Sequence, residues 1–121
     1  MRIRTVLAGV LIAIALPTGA ADRLAMRISP RMVYEPATLR IELSVEPDSD
    51  NRVLLIVAES VDFYRSSEIQ LDGERAPRTN VVSYRSLPAR DYSVQGVLVG
   101  TDGRERAQVR QAVMVIGAGG R

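Results

Sequence analysis

The sequence predicts an all-β protein, an antiparallel β-sandwich of about seven short strands. Three observations lead to this fold class. Short runs of alternating apolar and polar residues recur along the chain, and clusters of Gly, Pro, Asp and Asn separate them about every 8–12 residues. No stretch after residue 21 keeps a helical period convincingly. At 121 residues, the chain has room for one such domain.

The N-terminal segment 1–21 has the three parts of a secretory signal peptide. Arg2 and Arg4 give it a positive start, an uncharged apolar stretch covers 6–16, and small residues at 18–21 suit cleavage. The apolar stretch is too short for a comfortable membrane span, and the chain has no cysteine that could carry a lipid. We therefore expect a bacterial protein of the periplasm, or one that is secreted, with no membrane span after cleavage. The alternative is an uncleaved N-terminal anchor.

The rest of the chain divides into a sandwich over 22–116 and a flexible, glycine-rich tail over 117–121.

The first half of the sandwich contains three strand-like segments. Apolar residues alternate with polar ones over 24–28, and Pro30 then interrupts the pattern, as a proline does on an edge strand. The clearest alternation covers 38–46, which indicates a strand with one buried and one solvated face. Turn-forming residues at 47–51 end that strand. The continuous apolar run at 52–58 predicts a central strand covered, at least in part, on both sides.

The second half is predicted to contain one short strand at 68–71 and three longer ones. An Asp-Gly pair at 72–73 begins a polar loop after the short strand. A second Asp-Gly pair, at 102–103, predicts a hairpin between the last two strands. The three longer strands are indicated at 80–87, 92–98 and 107–115.

Charge and composition exclude several classes of function. Two of the 16 basic residues, Arg2 and Arg4, lie in the N-terminal segment, and the other basic residues balance the 14 acidic ones. A nucleic-acid surface needs clustered positive charge, so we expect no nucleic-acid partner. The chain contains no His, Cys or Lys, which removes the usual nucleophile–base pairs, zinc sites and Schiff bases. We therefore expect no enzyme, no cofactor and no catalytic, cofactor-binding or metal-ligating residues.

The stretch "LPARDYSV" at 87–94 resembles the tyrosine corner of bacterial immunoglobulin-like and fibronectin type III-like sandwich domains. The resemblance implies that Leu87 fills the core before the turn, that the Tyr92 hydroxyl bonds back to the backbone, and that Val94 points inward. It departs from the family pattern at Arg90, where glycine is usual, and in the absence of tryptophan. Prealbumin-like and carboxypeptidase-regulatory-like sandwiches contain nearly the same sequence motif and are the alternative fold.

Asp48, Asp50 and Asn51 have the spacing that begins a calcium loop. Arg52 and an apolar strand follow, where such a loop needs glycine and further oxygen ligands. We therefore interpret the segment as a solvated loop between strands.

Tyr64 and Arg65 are the candidate interaction surface. They follow Phe63, and neighbouring residues on a strand point to opposite faces, so one ring is expected in the core and the other in solvent. An exposed tyrosine beside an arginine suits a partner surface or a platform for stacking a sugar.

These observations predict an exported, non-catalytic immunoglobulin-like domain that acts through contacts with an unknown protein of the cell envelope or surface. The alternative is a small carbohydrate- or ligand-binding module that uses Tyr64. Self-association through an exposed sheet edge is a further expectation.

Overall fold

The structure is a computed structural model that describes residues 23–117. The predicted signal peptide and most of the predicted tail lie outside the described residues. The described part forms eight strands and one short 3₁₀ helix at Gly73–Arg75. The strands are β1 (Leu24–Ser29), β2 (Met32–Tyr34), β3 (Ala37–Val45), β4 (Asn51–Ser60), β5 (Phe63–Gln70), β6 (Thr79–Leu87), β7 (Arg90–Gly100) and β8 (Glu105–Ile116). No helix in this part of the chain is long and apolar enough to cross a membrane.

The strands form two sheets in a sandwich-like arrangement, which confirms the predicted all-β sandwich as the fold class. One sheet has the order β1-β3-β6, and the other has the order β2-β8-β7-β4-β5. All pairings are antiparallel except that of β2 with β8, which is parallel. The strand count exceeds the expected one because the chain breaks at Pro30, so that β1 joins one sheet and β2 joins the other.

The core lies between the sheets and is aliphatic. On β3, Leu39, Ile41 and Leu43 are fully buried and alternate with solvated residues, as predicted. On the facing sheet, Leu54 and Ile56 of β4 are fully buried as well, whereas their neighbours on the outer face are half-buried. The outer face of this central strand is thus only partly covered, which agrees with the expectation for 52–58.

The clearest difference from the sequence prediction is β5. The prediction placed one short strand at 68–71, whereas β5 covers Phe63–Gln70. This strand forms the edge of its sheet and pairs with β4 alone, so most of its side chains are exposed. Without a buried face, the sequence shows no clear alternation there.

Candidate functional site

Tyr92 lies in the core, and its hydroxyl is bonded to the backbone. The residue is 2% exposed, and its hydroxyl donates to the carbonyl oxygen of Pro88 at 2.6 Å. Its ring packs edge-to-face on Phe63, with a centroid distance of 5.3 Å. Burial raises the pKa of Tyr92 above its ordinary value. Leu87 and Val94 are fully buried in the same core cluster, so the structure brings the three predicted corner residues into one apolar environment.

The turn before Tyr92 is held by two polar contacts. Arg90 donates to both carboxylate oxygens of Asp62, at 2.6 and 3.0 Å, and this hydrogen bonding is the main cause that lowers the pKa of Asp62. A carboxylate oxygen of Glu35 accepts a hydrogen bond from the N–H of Ala89 at 2.9 Å. In this region Ser86 adopts the left-handed backbone conformation, with a φ of 58°, whereas Arg90 does not. An arginine in the place of the usual glycine is therefore accommodated.

The structure does not bring Tyr64 and Arg65 together as one surface. Tyr64 points outward and is 65% exposed. The Arg65 guanidinium carbon lies 5.2 Å from the ring centroid of Phe63 and 6.0 Å from that of Tyr84, and its Nη1 donates to the carbonyl of Arg85. The two neighbours diverge because successive side chains of a strand point to opposite faces.

The acidic segment at 48–51 is engaged by other side chains of this protein. Arg106 donates to Asp48 Oδ2 at 3.1 Å and to Asn51 Oδ1, and it forms an ion pair with Asp50 at 3.2 Å. The N–H of Thr101 donates to Asp50 Oδ1 at 2.9 Å, and its hydroxyl donates to the same oxygen. The oxygens that a calcium ion would need are thus occupied, and we name these five residues the Arg106 clamp. The sequence alone does not indicate Arg106, since nothing in the local sequence links it to this loop.

A second feature that the sequence alone does not indicate is an open hollow of about 620 Å³ lined by residues of β8, the start of β7, and β2 with the residue before it. Its lining combines two exposed methionines, one arginine and one aspartate with apolar neighbours. The lining residues are Arg31, Met32, Asp91, Tyr92, Ala112, Val113 and Met114.

Three of these residues form a row across the sheet. Asp91 on β7 is the register partner of Met114 on β8, and Met114 is the register partner of Met32 on β2. Register partners on adjacent strands share a face of the sheet, so a carboxylate and two thioethers lie side by side. Met32 is 64% exposed and Met114 is 43% exposed, which is unusual for long apolar side chains in adjacent positions. We call Arg31, Met32, Asp91 and Met114 the methionine face.

The comparisons with known proteins identify the fold and no family. No protein-family model matches the sequence, and no curated protein matches it. One similar solved structure is superoxide reductase (neelaredoxin) from Ignicoccus hospitalis, with a TM-score of 0.62 and 10% identity over 76% of this chain and 79% of that chain. Two variants of that protein both give a TM-score of 0.64. One is 10% identical over 82% of this chain and 91% of that chain, and the other is 13% identical over 84% and 86%.

These neighbours contradict the function predicted from the sequence. The prediction was a non-catalytic immunoglobulin-like domain acting through protein contacts, with carbohydrate or small-ligand binding as the alternative. Solved structures that share the sandwich are superoxide reductases, which are redox enzymes, so that prediction is wrong. The error has a physical origin, since one sandwich can carry sites of unrelated chemistry and does not by itself indicate a non-catalytic role. At 13% identity or less, the likeness shows the fold alone.

The donor groups of this chain do not fit a redox metal centre. Imidazole and thiolate are the ligands that redox metals commonly take in proteins, and the sequence contains neither His nor Cys. Within residues 23–117, no group of three or more carboxylates is placed to hold a metal ion. The carboxylates of the Arg106 clamp are neutralised by an arginine instead.

Proposed function

We propose that this protein functions as a self-associating subunit, with the methionine face as the contact between two copies. The observation that carries the proposal is the row Asp91–Met114–Met32, in which two exposed thioether side chains lie between charges of opposite sign. Methionine is an adaptable apolar side chain that is common at association surfaces. An exposed apolar patch rimmed by polar residues is typical of an interaction site.

The two charged residues make the face complementary to itself. Asp91 lies at the β7 end of the row, and Arg31 directly precedes β2 at the other end. In a dimer with two-fold symmetry, the same patch meets its own copy, so that residue i contacts residue j and j contacts i. When two rows meet in opposite directions, each Arg31 faces the Asp91 of the other copy, and the methionines meet in the centre.

The surface around the row can extend this contact. Tyr34 lies two positions after Met32 on β2 and is also largely exposed. Side chains two positions apart on a strand share a face, so Tyr34 continues the apolar patch. Aromatic and methionine side chains are enriched at protein interfaces, and a stable one needs about 800 Å² from each partner. The expected interface therefore spans β2, β8 and the start of β7, and includes the sheet edge formed by β2.

A charge exchange between two variants tests the arrangement. Arg31→Asp gives a copy with two acidic ends, and Asp91→Arg gives a copy with two basic ends. Each variant alone places like charges together in both contacts of the dimer, and we expect its self-association to weaken at least about tenfold. In an equimolar mixture, both contacts again join opposite charges, so a mixed dimer should form with close to wild-type affinity. Sedimentation equilibrium measures all three.

Three outcomes contradict the proposal. They are a wild-type protein that stays monomeric at every accessible concentration, single variants that dimerise like the wild type, and a mixture that fails to recover association. Glu68→Arg, on the exposed face of the opposite edge strand β5, is the matched control and should leave association unchanged.

We also propose that the contact between Tyr92 and Pro88 is the tyrosine corner of an immunoglobulin-like sandwich. The 2.6 Å hydrogen bond, made four positions back along the chain, supports this assignment.

A further proposal is that segment 1–21 exports the protein to the periplasm or beyond the cell. The mass of the protein recovered from the envelope fraction tests it, because cleavage near Ala21 removes the entire segment. Recovery of the uncleaved chain would contradict it.

A further inference from the structure

We propose that Met32 and Met114 form an oxidant-sensitive site, whose conversion to methionine sulfoxide separates the two copies. The separation rests on the proposed function, since it acts on the same face. The sensitivity itself rests on exposure, because thioether oxidation by peroxides follows access to the sulfur. Among the described residues, Met26 serves as an internal control for oxidation, since it is only 9% exposed while Met32 and Met114 are 64% and 43% exposed.

The reaction is an oxygen transfer from a hydroperoxide. The thioether sulfur attacks the terminal oxygen, an S–O bond forms, and the O–O bond breaks. The sulfur loses two electrons and becomes a sulfoxide, while the peroxide is reduced. The proton of the transferred hydroxyl passes to the leaving hydroxide, which departs as water when the oxidant is hydrogen peroxide.

The position of the two sulfurs makes the product disruptive. Oxidation replaces a flexible apolar side chain by a polar one. Because Met32 and Met114 are register partners on adjacent strands, two such groups arise side by side in the centre of the proposed contact. In a dimer they meet two more, and each sulfoxide oxygen would be buried without a hydrogen-bond donor. The nearest cation of the face, Arg31, already faces a carboxylate in the proposed arrangement.

The monomer is the reactive species. In the dimer the methionine face is covered, whereas in the monomer both side chains are open to solvent. An oxidised monomer pairs poorly, so each oxidation event withdraws protein from the dimer by mass action. The rate of oxidation of Met32 and Met114 should therefore fall as the protein concentration rises, and that of Met26 should not.

Peptide mass spectrometry during treatment with hydrogen peroxide tests the site. We expect Met32 and Met114 to gain oxygen about fivefold faster than Met26 or more, in line with their greater exposure. Sedimentation of the same samples should show loss of the dimer in step with oxidation, and treatment with the two methionine sulfoxide reductases and a dithiol as reductant should restore it. The double variant Met32→Leu with Met114→Leu keeps apolar side chains of similar size and should stay dimeric in peroxide. The control Met26→Leu should dissociate as the wild type does.

The outcomes separate the two proposals. At a protein concentration low enough for the monomer to predominate, oxidation of Met32 and Met114 no faster than that of Met26 overturns the site. A fully oxidised protein that remains dimeric overturns the separation step and leaves the proposed function standing. A reduced protein that is monomeric overturns the proposed function, and the separation step with it.

Discussion

The guanidinium of Arg106 on β8 donates a hydrogen bond to Asn51 Oδ1 at the start of β4, across 55 positions of sequence. Asn51 is almost fully buried, and its own amide donates to the carbonyl of Glu46 at 2.9 Å. The same arginine contacts Asp48 and Asp50, so one side chain joins the loop before β4 to the strand after the β7–β8 turn. A buried polar group destabilises the fold unless it is hydrogen-bonded. Here Arg106 supplies the donors that the side chains of Asn51, Asp48 and Asp50 need.

Replacing this arginine should destabilise the fold. Arg106→Leu leaves Asn51 without the partner of its side-chain oxygen and removes the charge shared by Asp48 and Asp50. Because hydrogen bonds to charged groups contribute about 1.5–3 kcal/mol each and do not add fully, we expect a loss of about 2–3 kcal/mol in the free energy of unfolding. Denaturant titration measures it.

Arg104→Leu is the matched control for that experiment. Arg104 is highly exposed, its ion pair with Asp102 is 4.0 Å long, and it should contribute about 0–1 kcal/mol. Equal losses in the two variants would contradict the role of the clamp.

The clamp also predicts how stability depends on pH. The pKa of Asp48 is lowered chiefly by the N–H of Asp50, and that of Asp50 chiefly by the hydroxyl of Thr101; Arg106 contributes to both. A carboxyl group whose pKa is lower in the folded than in the unfolded state stabilises the fold above its unfolded pKa of about 4. That contribution is lost as the pH falls through the lower, folded value. The free energy of unfolding should therefore be level between about pH 5 and 7 and decline below about pH 4.

Urea titrations at a series of pH values test this dependence. Asp50→Asn should flatten the acid decline, because the amide does not titrate. Asp72→Asn is the control, since Asp72 precedes the 3₁₀ helix without a side-chain cap bond and should leave the curve unchanged. A wild-type curve that rises on acidification would be inconsistent with the lowered pKa values.

Tyr92→Phe tests the bond that ties the turn before β7. The substitution keeps the ring and its contact with Phe63 but removes the donor to the Pro88 carbonyl. An unpaired, partly buried carbonyl costs about 1–3 kcal/mol, so the midpoint of thermal unfolding should fall. Tyr64→Phe, on an exposed tyrosine, is the matched control and should leave the midpoint unchanged. An unchanged midpoint in Tyr92→Phe would show that the hydroxyl does not stabilise the turn.

The fold could be predicted from the sequence because its information is local. Alternation over 38–46 identifies β3 without reference to any other strand, and the Asp-Gly pair at 102–103 identifies the turn between β7 and β8. The parallel pairing of β2 could not be predicted in this way. It depends on the chain crossing from one sheet to the other at Pro30, and three residues are too few to show a period.

The candidate site could not be predicted, since its residues are far apart in sequence. Met32 and Met114 become neighbours only through the β2–β8 register, and either one alone resembles a core methionine. Likewise, Asp48 and Asp50 have the spacing of a calcium loop, and only the distant Arg106 and Thr101 show that their oxygens are already used. The interaction surface at Tyr64 and Arg65 stays a prediction, and its geometry could not be foreseen, because the contacts of Arg65 with Phe63 and Tyr84 depend on the fold.

Gly96 lies at a point where the two sheets leave no room for a side chain. A Cβ atom there would lie 2.7 Å from Cδ2 of Leu43 and 3.3 Å from Cγ2 of Val109. Overpacking of this kind costs about 1–3 kcal/mol, which exceeds the gain of about 0.4–1 kcal/mol from restricting the unfolded chain. Gly96→Ala should therefore lower the free energy of unfolding by about 1–2 kcal/mol, measured by denaturant titration. Gly117→Ala is the control, because the atoms nearest to its added Cβ would be 3.9 Å away, and it should leave the free energy of unfolding unchanged. If Gly96→Ala also left it unchanged, Leu43 would be able to move aside.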